Sequence, residues 1–260
     1  MMIISVPVWP RRVLLSLSAL LLSACVTSQT GADSDAIAAA IANPARPAAD
    51  VARDAQRNPQ AVLEFAGLAP GMAFLDMFAG GGYYTEIAYY AVGPTGSVTA
   101  YNNNLYQQIA TNALAERFAD GRLSGVTRLV SKNNATALPE NAFDVAMFGL
   151  SYHDIYHLAG ERGWDKIDRP ALLAEVYAAL KPGGRVVVMD HVAPADMPDK
   201  QAGALHRINP EAIKADFLAA GFTYDGASDV LRNPNDDYAL IAMAPQVRGQ
   251  TDRVVLRFVK

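Results

Sequence analysis

The sequence lacks most of the features that tie a protein covalently or electrostatically to a partner. Cys25 is its only cysteine, so the chain beyond it can contain no disulfide, thiolate nucleophile or cysteine metal site. Only 18% of its residues are charged and the net charge is -4, which argues against nucleic acid as a partner. No apolar run is long enough to span a bilayer. Hydrophobic residues make up 51% of the sequence, which is enough to bury a sizeable core.

The N-terminal segment has the pattern of a secretory signal. Arg11 and Arg12 precede an apolar stretch over residues 13–22, which is too short to cross a membrane. Leu-Ser-Ala-Cys follows and resembles the lipobox of bacterial lipoproteins, which implies cleavage and acylation at Cys25. We therefore expect a signal peptide over residues 1–24 and lipid anchoring at the periplasmic face of a bacterial membrane, with the outer membrane favoured. The alternative is an uncleaved hydrophobic anchor.

Composition divides the rest of the chain into a tether and a domain. Residues 25–46 are predicted to form a lipidated tether, rich in Ala, Ser, Thr and Gly, with at most a short helix over Asp35–Ile41. Residues 47–260 are predicted to form one domain. It begins with helices over residues 48–57 and 59–67.

Beyond Gly71, predicted strands alternate with predicted helices. Apolar runs without polar alternation, such as residues 186–189, are typical of parallel strands covered on both faces. The alternation predicts an α/β fold with a doubly wound, mostly parallel, seven-stranded sheet. The predicted strands are Met72–Phe78, Ser97–Tyr101, Val126–Val130, Phe143–Leu150, Arg185–Asp190, Phe222–Leu231 and Arg253–Val259. The predicted helices are Tyr84–Val92, Tyr106–Phe118, Asp168–Leu180 and one from Pro210 that ends at Gly221.

Three motifs together carry a family resemblance. The first strand runs into a glycine loop (residues 78–82, FAGGG), where the backbone turns sharply and approaches a ligand. Residues 180–184 (LKPGG) precede the fifth strand, and residues 219–222 (AAGF) precede the last two strands. In this order and spacing they resemble the class I S-adenosylmethionine (SAM)-dependent methyltransferases. With the N-terminal signal, the chain resembles an exported lipoprotein branch of predicted methyltransferases.

The resemblance implies a Rossmann-like methyltransferase fold and SAM as cofactor. It implies that the methionine part of SAM lies against Asp76 and the glycine loop, the ribose against Asn102, and the adenine beside Asn134 and Ala135. In this chain Phe78 stands where the family usually has its first glycine, and the two asparagines replace acidic residues. The implied cofactor residues are Asp76, Ala79, Gly80, Gly81, Gly82, Tyr83, Thr85, Asn102, Asn134 and Ala135.

All four histidines lie between positions 153 and 206. His153 and Asp154 follow the fourth predicted strand, and Asp190 and His191 end the fifth. Because ligands bind outside the carboxyl ends of strands in open α/β sheets, we predict that these four residues meet at the crevice. Methyl transfer needs an aligned nucleophile and often a base. His153 is the first candidate base and Asp190 or His191 the second; the alternative is that each histidine only caps a strand end.

A metal site is the other interpretation of these residues. Imidazole and carboxylate groups at this edge offer suitable ligands for a divalent ion. The sequence has no compact motif such as His-Glu-x-x-His, so no metal is predicted. The residues weighed are His153, Asp154, His157, Asp190, His191 and His206.

Two features remain open at this point. Tyr83 and Tyr84 either pack in the core or face the cationic sulfonium of the cofactor. The long excursion over Arg232–Asp252, which is predicted to leave from the crevice end of the sheet, is either a substrate cap or a surface loop. Its charged residues are Arg232, Asp236, Asp237 and Arg248.

The sequence favours an enzyme, a SAM-dependent methyltransferase that acts on a small molecule or an envelope component. The alternative is a non-catalytic lipoprotein that keeps the fold and binds another ligand or partner. An NAD-dependent oxidoreductase is disfavoured because Asn102 offers no acidic ligand for a ribose. The expected partner is a small-molecule substrate, and neither the methyl acceptor nor the oligomeric state is predicted.

Overall fold

A helix over residues 33–41 (α1) begins the main part of the chain described by the computed structural model, which covers residues 31, 33–158, 160 and 165–260. Ile37 and Ala40 lie one turn apart on this helix and are buried in the same apolar cluster as Leu63. Apolar packing therefore begins before residue 47. Three short helices follow: α2 (Ala48–Val51), α3 (Asp54–Arg57) and α4 (Pro59–Ala66).

The predicted signal peptide and the lipidation site at Cys25 lie outside the described residues. Among the helices that the structure does describe, none combines the length and the hydrophobicity needed to cross a membrane.

Seven strands form one sheet in the order β3-β2-β1-β4-β5-β7-β6. The first five run parallel, and β7 is antiparallel to both of its neighbours. This confirms the predicted doubly wound α/β sheet. The strands are β1 (Ala73–Met77), β2 (Ser97–Asn103), β3 (Val126–Ser131), β4 (Phe143–Gly149), β5 (Leu180–His191), β6 (Thr223–Ser228) and β7 (Arg253–Val259).

The helices between the strands follow the predicted alternation, with one difference. The helix predicted over residues 106–118 is two helices, separated at Ala110. The remaining helices are α5 (Tyr83–Val92), α6 (Asn104–Ile109), α7 (Thr111–Arg117), α8 (Arg169–Ala179), α9 (Ala202–Leu205) and α10 (Pro210–Ala219). Short 3₁₀ turns occupy Ala119–Gly121, Tyr152–Tyr156 and Asp199–Gln201.

Each face of the sheet buries its own apolar cluster. Leu75 and Met77 of β1 share one cluster with Leu172 of α8, while Phe74 shares the other with Ile87 of α5. Burial on both faces explains the uninterrupted apolar runs in the strands. The strand order reverses between β1 and β4, and there the segments that leave the carboxyl ends of β1, β4 and β5 form the crevice.

Candidate functional site

The glycine loop (residues 78–82) connects β1 to α5 through three residues in the left-handed region. Phe78, Gly80 and Gly82 have φ values of 52°, 57° and 82°. Glycine adopts such angles without strain, but phenylalanine does not. Aromatic packing holds the Phe78 ring, with centroid distances of 5.3 to 6.2 Å to the rings of Tyr101, Tyr106 and Phe148.

Asn102, at the end of β2, braces this loop. Its Oδ1 accepts a hydrogen bond from the Gly80 amide at 2.9 Å, and its Nδ2 donates to the Gly80 carbonyl oxygen at 3.1 Å. The side chain is buried, and both ends of its amide are engaged by the protein. The residue predicted to receive the ribose therefore supports the loop from behind.

Asp76 and Thr85 form a second brace beneath the loop. Thr85 Oγ1 donates to Asp76 Oδ2 at 2.6 Å and thereby connects β1 to α5. Burial raises the pKa of Asp76 to about 6, against the lowering effect of this hydrogen bond. Like Asn102, these two residues act on the geometry of the loop from within the protein.

A cavity of about 680 Å³ opens beside the loop at the carboxyl edge of the sheet. From the predicted cofactor set it is lined by Ala79, Gly80, Gly81 and Tyr83. From the predicted catalytic set it is lined by His153, Asp154 and His191. The predicted residues that do not line it are Asp76, Gly82, Thr85, Asn102, Asn134, Ala135 and Asp190.

The predicted adenine neighbour Asn134 has a structural contact of its own. Its Oδ1 accepts a hydrogen bond from the amide of Asp168 at 2.9 Å, and its Nδ2 lies 3.3 Å from the carbonyl oxygen of Lys166. These bonds hold the start of α8. Neither Asn134 nor the adjacent Ala135 lies near the main cavity.

The N-terminal helices supply a wall that the sequence did not predict. Asp50 and Arg53 line the cavity, together with Arg117 of α7. Arg117 donates to Asp50 Oδ2 at 2.6 Å, to Glu86 and to the carbonyl oxygen of Gly81. The guanidinium of Arg117 can be buried because it lies between two carboxylates, so that each charge has a partner. Arg117 thus fixes the glycine loop from the helical side.

Tyr83 contacts these same helices. Its hydroxyl donates to Asp54 Oδ1 at 2.5 Å, and three guanidinium carbons lie 4.5 to 5.6 Å from its ring centroid. Tyr84 is buried with its ring edge against Tyr83. Both tyrosines therefore fit the first of the two interpretations, packing within the protein. The cations that face Tyr83 are Arg46, Arg53 and Arg57.

The opposite wall is a cluster of histidines and carboxylates. His153 Nδ1 lies 2.7 Å from Asp190 Oδ1, and its Nε2 lies 2.9 Å from His206 Nδ1. Asp154 Oδ1 lies 3.3 Å from His153 Nε2, 3.4 Å from His206 Nδ1 and 3.2 Å from His157 Nε2. The structure therefore brings together the predicted catalytic residues and adds the remaining two histidines.

Both ring nitrogens of His153 are engaged, which does not favour its predicted role as a neutral base. Burial opposes an imidazolium there, but the carboxylates of Asp190 and Asp154 outweigh it and raise the pKa of His153 to about 10. His191, the second candidate, differs. Its Nδ1 lies 2.6 Å from Thr251 Oγ1, and burial together with the positive charge at His153 holds its pKa well below the usual range.

The excursion between β6 and β7 is anchored by two ion pairs, of which the first is fully buried and the second has an exposed arginine. Arg207 forms two hydrogen bonds with Asp236, at 2.8 and 3.1 Å. Arg232 pairs in the same way with Asp252, at 2.8 and 2.9 Å. From this segment Met243 reaches the cavity. The segment thus borders the site, as a cap would, while two of its four predicted charged residues serve to anchor it.

The fold and the glycine loop define the class, which is that of the class I SAM-dependent methyltransferase fold. No family model matches the chain. A SAM-dependent methyltransferase from Aquifex aeolicus superimposes with a TM-score of 0.56 at 19% identity, covering 80% of this chain and 92% of that one. A Burkholderia thailandensis 1,6-didemethyltoxoflavin-N1-methyltransferase, solved with bound 1,6-didemethyltoxoflavin and S-adenosylhomocysteine, gives a TM-score of 0.50 at 19% identity and covers 95% of this chain and 93% of that one.

Sequence comparison gives more particular relatives. The ubiquinone/menaquinone biosynthesis C-methyltransferase UbiE of Shewanella halifaxensis is 26% identical over 133 residues, which are 51% of this chain and 47% of that protein. The chain thus spans about half the length of the curated relatives it matches. At these identities the structural neighbours show the fold of SAM-dependent methyltransferases, and the UbiE proteins are sequence relatives of about half of the chain.

Proposed function

We propose that this protein binds SAM and transfers its methyl group to a small molecule or an envelope component. The observation that carries the proposal is that the glycine loop and the histidine cluster line the same cavity. Gly80 and Gly81 form one wall, and His153 and His191 belong to the other. A cofactor held on the first wall would have its acceptor aligned by the second, which is the arrangement that group transfer requires.

The cavity suits SAM in size and in the nature of its walls. Its volume of about 680 Å³ falls within the range of about 300–1,000 Å³ typical of small-molecule sites. Gly80 and Gly81 present bare backbone, which allows close approach. The carboxylate of Glu116 also lines the cavity, whereas that of Asp50 is paired with Arg53 and Arg117. When bound, SAM would supply an electrophilic methyl group on a sulfonium.

The protein's own residues would orient the acceptor and take its proton. Asp190 orients His153 through the 2.7 Å contact at Nδ1. His191 lines the cavity with Nδ1 held by Thr251, and no partner of its Nε2 is found among the described residues. We assign proton acceptance to this nitrogen because no competing partner of it is found in the described chain and because the lowered pKa of His191 keeps the imidazole neutral, with a lone pair that can accept a proton.

One observation favours a second function, the binding of a different ligand without methyl transfer. Asn102 replaces the acidic residue that the family uses for the ribose, and both ends of its amide bind Gly80. In that case the protein would keep the fold and the cavity but have no measurable affinity for SAM. Direct binding measurements separate the two functions.

The experiment compares two glycines that have similar backbone angles but lie at opposite ends of the sheet. Gly80 has φ 57° and lines the cavity, while Gly183 has φ 76° and open space around its missing Cβ. Valine at either position costs roughly 1–2 kcal/mol of backbone strain, but only Gly80→Val places methyl groups in the cavity wall.

Calorimetry of the full chain with S-adenosylhomocysteine should show binding that Gly80→Val weakens by at least about tenfold, while Gly183→Val binds like wild type. Wild-type protein that binds neither SAM nor S-adenosylhomocysteine would overturn the methyltransferase proposal in favour of the second function. Equal affinity in the two variants would move the cofactor site away from the glycine loop.

We further propose that the protein acts at the periplasmic face of a bacterial membrane, anchored through Cys25. The support is the order of basic residues, apolar stretch and lipobox-like cleavage site over residues 11–25. Cys25→Ala should release the protein from the membrane fraction or leave an uncleaved precursor. Normal processing and membrane retention in that variant would rule out this anchor.

A further inference from the structure

We propose that His153, Asp154 and His206 bind a divalent transition-metal ion in the wall of the cavity. Three potential ligand atoms, His153 Nε2, Asp154 Oδ1 and His206 Nδ1, converge with separations of 2.9, 3.3 and 3.4 Å. Ligands held about 2.0–2.2 Å from one ion lie about 2.8–3.1 Å apart in octahedral geometry and about 3.3–3.6 Å apart in tetrahedral geometry. The observed spacing therefore matches that of ligands around one ion.

Hydrogen bonding alone explains this convergence poorly. Three imidazole nitrogens, those of His153, His157 and His206, lie within 3.4 Å of the same oxygen, Asp154 Oδ1. A carboxylate oxygen has two lone pairs, so it cannot accept a well-directed hydrogen bond from each. The 2.9 Å contact between His153 Nε2 and His206 Nδ1 requires at least one of these nitrogens to carry no proton, as a metal ligand must. A cation bound by His153 Nε2, His206 Nδ1 and Asp154 Oδ1 would explain why these three atoms lie so close together.

In two of the ligands, the polar atom that would not bind the ion is already held by a neighbouring side chain. A metal ion would displace the proton of His153 Nε2, while the proton on Nδ1, 2.7 Å from Asp190 Oδ1, would stay and leave the lone pair of Nε2 directed at the other two ligands. Asp154 Oδ2 accepts a hydrogen bond from the Tyr106 hydroxyl at 2.5 Å, which leaves Oδ1 for the ion. Metal-bound histidines commonly donate their other nitrogen to a carboxylate in this way.

The third ligand is set by the backbone. His206 follows α9 with a φ of 49°, in the left-handed region that residues other than glycine adopt in only a few per cent of cases. That angle directs its ring to His153, at a centroid distance of 4.9 Å. All three ligands line the cavity. Three protein ligands with an open side are the arrangement of catalytic rather than structural metal sites.

The ligand set selects the class of metal. Two imidazoles and one carboxylate suit zinc, iron or cobalt, whereas magnesium and calcium prefer oxygen ligands. The prediction of no metal rested on the lack of a compact motif, but His153 and His206 are 53 positions apart in the sequence. If the proposed methyl transfer holds, the ion would bind an oxygen or sulfur of the acceptor and lower its pKa.

Metal binding is tested on the full chain, purified without a histidine tag, stripped with a chelator and titrated with Zn²⁺ by calorimetry. Wild type should bind one equivalent, and mass spectrometry of the metal content should confirm it. His206→Ala and His153→Ala should each weaken binding by at least about a hundredfold. His206 is the safer variant for folding because its side chain is 18% exposed.

His191→Ala is the matched control. Its ring lies 6.0 Å from that of His153 in the same cavity, yet it should bind Zn²⁺ like wild type. Asp190→Asn keeps all three ligands and should weaken binding by about ten- to a hundredfold through loss of orientation. Magnesium ions should produce no signal at the same concentration.

Two results would overturn the metal proposal. One is a folded wild-type protein that binds none of Zn²⁺, Co²⁺ and Fe²⁺. The other is unchanged Zn²⁺ affinity in folded His206→Ala. Measuring S-adenosylhomocysteine in the same samples keeps the two proposals separate, because its failure to bind while Zn²⁺ binds would overturn only the methyltransferase function.

Discussion

The two walls of the cavity are built in different ways. The glycine wall comes from one continuous segment, residues 76–85, braced from behind by Asn102 and Arg117. The histidine wall is assembled from separate segments that supply residues 153–154, 190–191 and 206. A wall made by one segment depends on local backbone geometry, whereas an assembled wall depends on tertiary packing. The predictions that follow test this difference, beginning with the largest effect.

The largest loss is expected from Arg207→Met, which should destabilise the protein by about 3–5 kcal/mol. Arg207 is fully buried and bonds Asp236 twice, as well as the carbonyl oxygens of Val192 and Leu240. Its removal leaves the Asp236 carboxylate buried without its cation. The free energy of unfolding in urea, measured by circular dichroism, gives the effect.

Lys214→Met is the control for Arg207→Met. Lys214 pairs with Glu211 at 2.7 Å, but the Glu211 side chain is 73% exposed, so the change should stay within about 0.5 kcal/mol. A loss below about 1 kcal/mol for Arg207→Met would show that the excursion between β6 and β7 is not held to β5 through this residue.

On the glycine wall, Asp76→Asn should remove a pH dependence of about 3 kcal/mol. Burial raises the pKa of Asp76 from 3.8 to about 6, so the folded state holds this proton more tightly than the unfolded chain does. The contribution is present in full below pH 4 and is lost as the pH rises to 6. Wild type should therefore lose stability over this range, and the variant should lose correspondingly less.

Urea unfolding at pH 4, 5, 6 and 7 measures this difference. Asparagine can still accept the hydrogen bond from Thr85, so the comparison isolates the charge. Asp144→Asn is a control because that carboxylate is more exposed and pairs with Lys181 at 2.7 Å. Parallel pH profiles of wild type and Asp76→Asn would mean that Asp76 is ionised at no cost.

The same difference explains how much the sequence revealed. The seven strands, their mostly parallel arrangement and the glycine loop follow from local signals, namely apolar runs and glycines after β1. The three proposed metal ligands were among the six residues weighed from the sequence, but nothing near His153 in the sequence indicates that His206 lies 2.9 Å away. Asn102 was placed at the correct strand end, but sequence cannot show that its amide turns toward Gly80.

Asn102→Asp tests that brace. An acidic residue at this position would be expected to improve ribose binding if the side chain faced the cofactor. Here Asp would lose the donor to the Gly80 carbonyl oxygen and place a buried carboxylate against it. We expect a loss of about 2–3 kcal/mol in the free energy of unfolding, together with weaker S-adenosylhomocysteine binding.

Asn134→Asp is the matched change, since Asn134 also joins two backbone groups but is exposed. It should cost no more than about 1 kcal/mol. Tighter S-adenosylhomocysteine binding by Asn102→Asp, with stability preserved, would contradict the geometry and would put the side chain against the ribose.

The smallest effect is expected where the two walls meet. Tyr106 packs its ring on Phe78 of the glycine loop and donates its hydroxyl to Asp154 of the histidine cluster at 2.5 Å. Tyr106→Phe keeps the ring and removes the hydroxyl. Because Asp154 retains its histidine partners, the loss of stability should be about 1–1.5 kcal/mol. If the cofactor lies on the glycine wall and the ion in the histidine wall, the variant should change the affinity for the ion and leave that for the cofactor nearly unchanged.

We therefore expect Tyr106→Phe to bind S-adenosylhomocysteine within about twofold of wild type and Zn²⁺ about tenfold more weakly, because the hydroxyl orients a ligand. Tyr101→Phe is the control: its ring also packs on Phe78, but its hydroxyl lies 3.4 Å from the carbonyl oxygen of Lys132. Neither ligand should distinguish that variant from wild type. The reverse result for Tyr106→Phe, with S-adenosylhomocysteine weakened and Zn²⁺ unchanged, would place its hydroxyl in the cofactor site and show that it does not orient Asp154 for the ion.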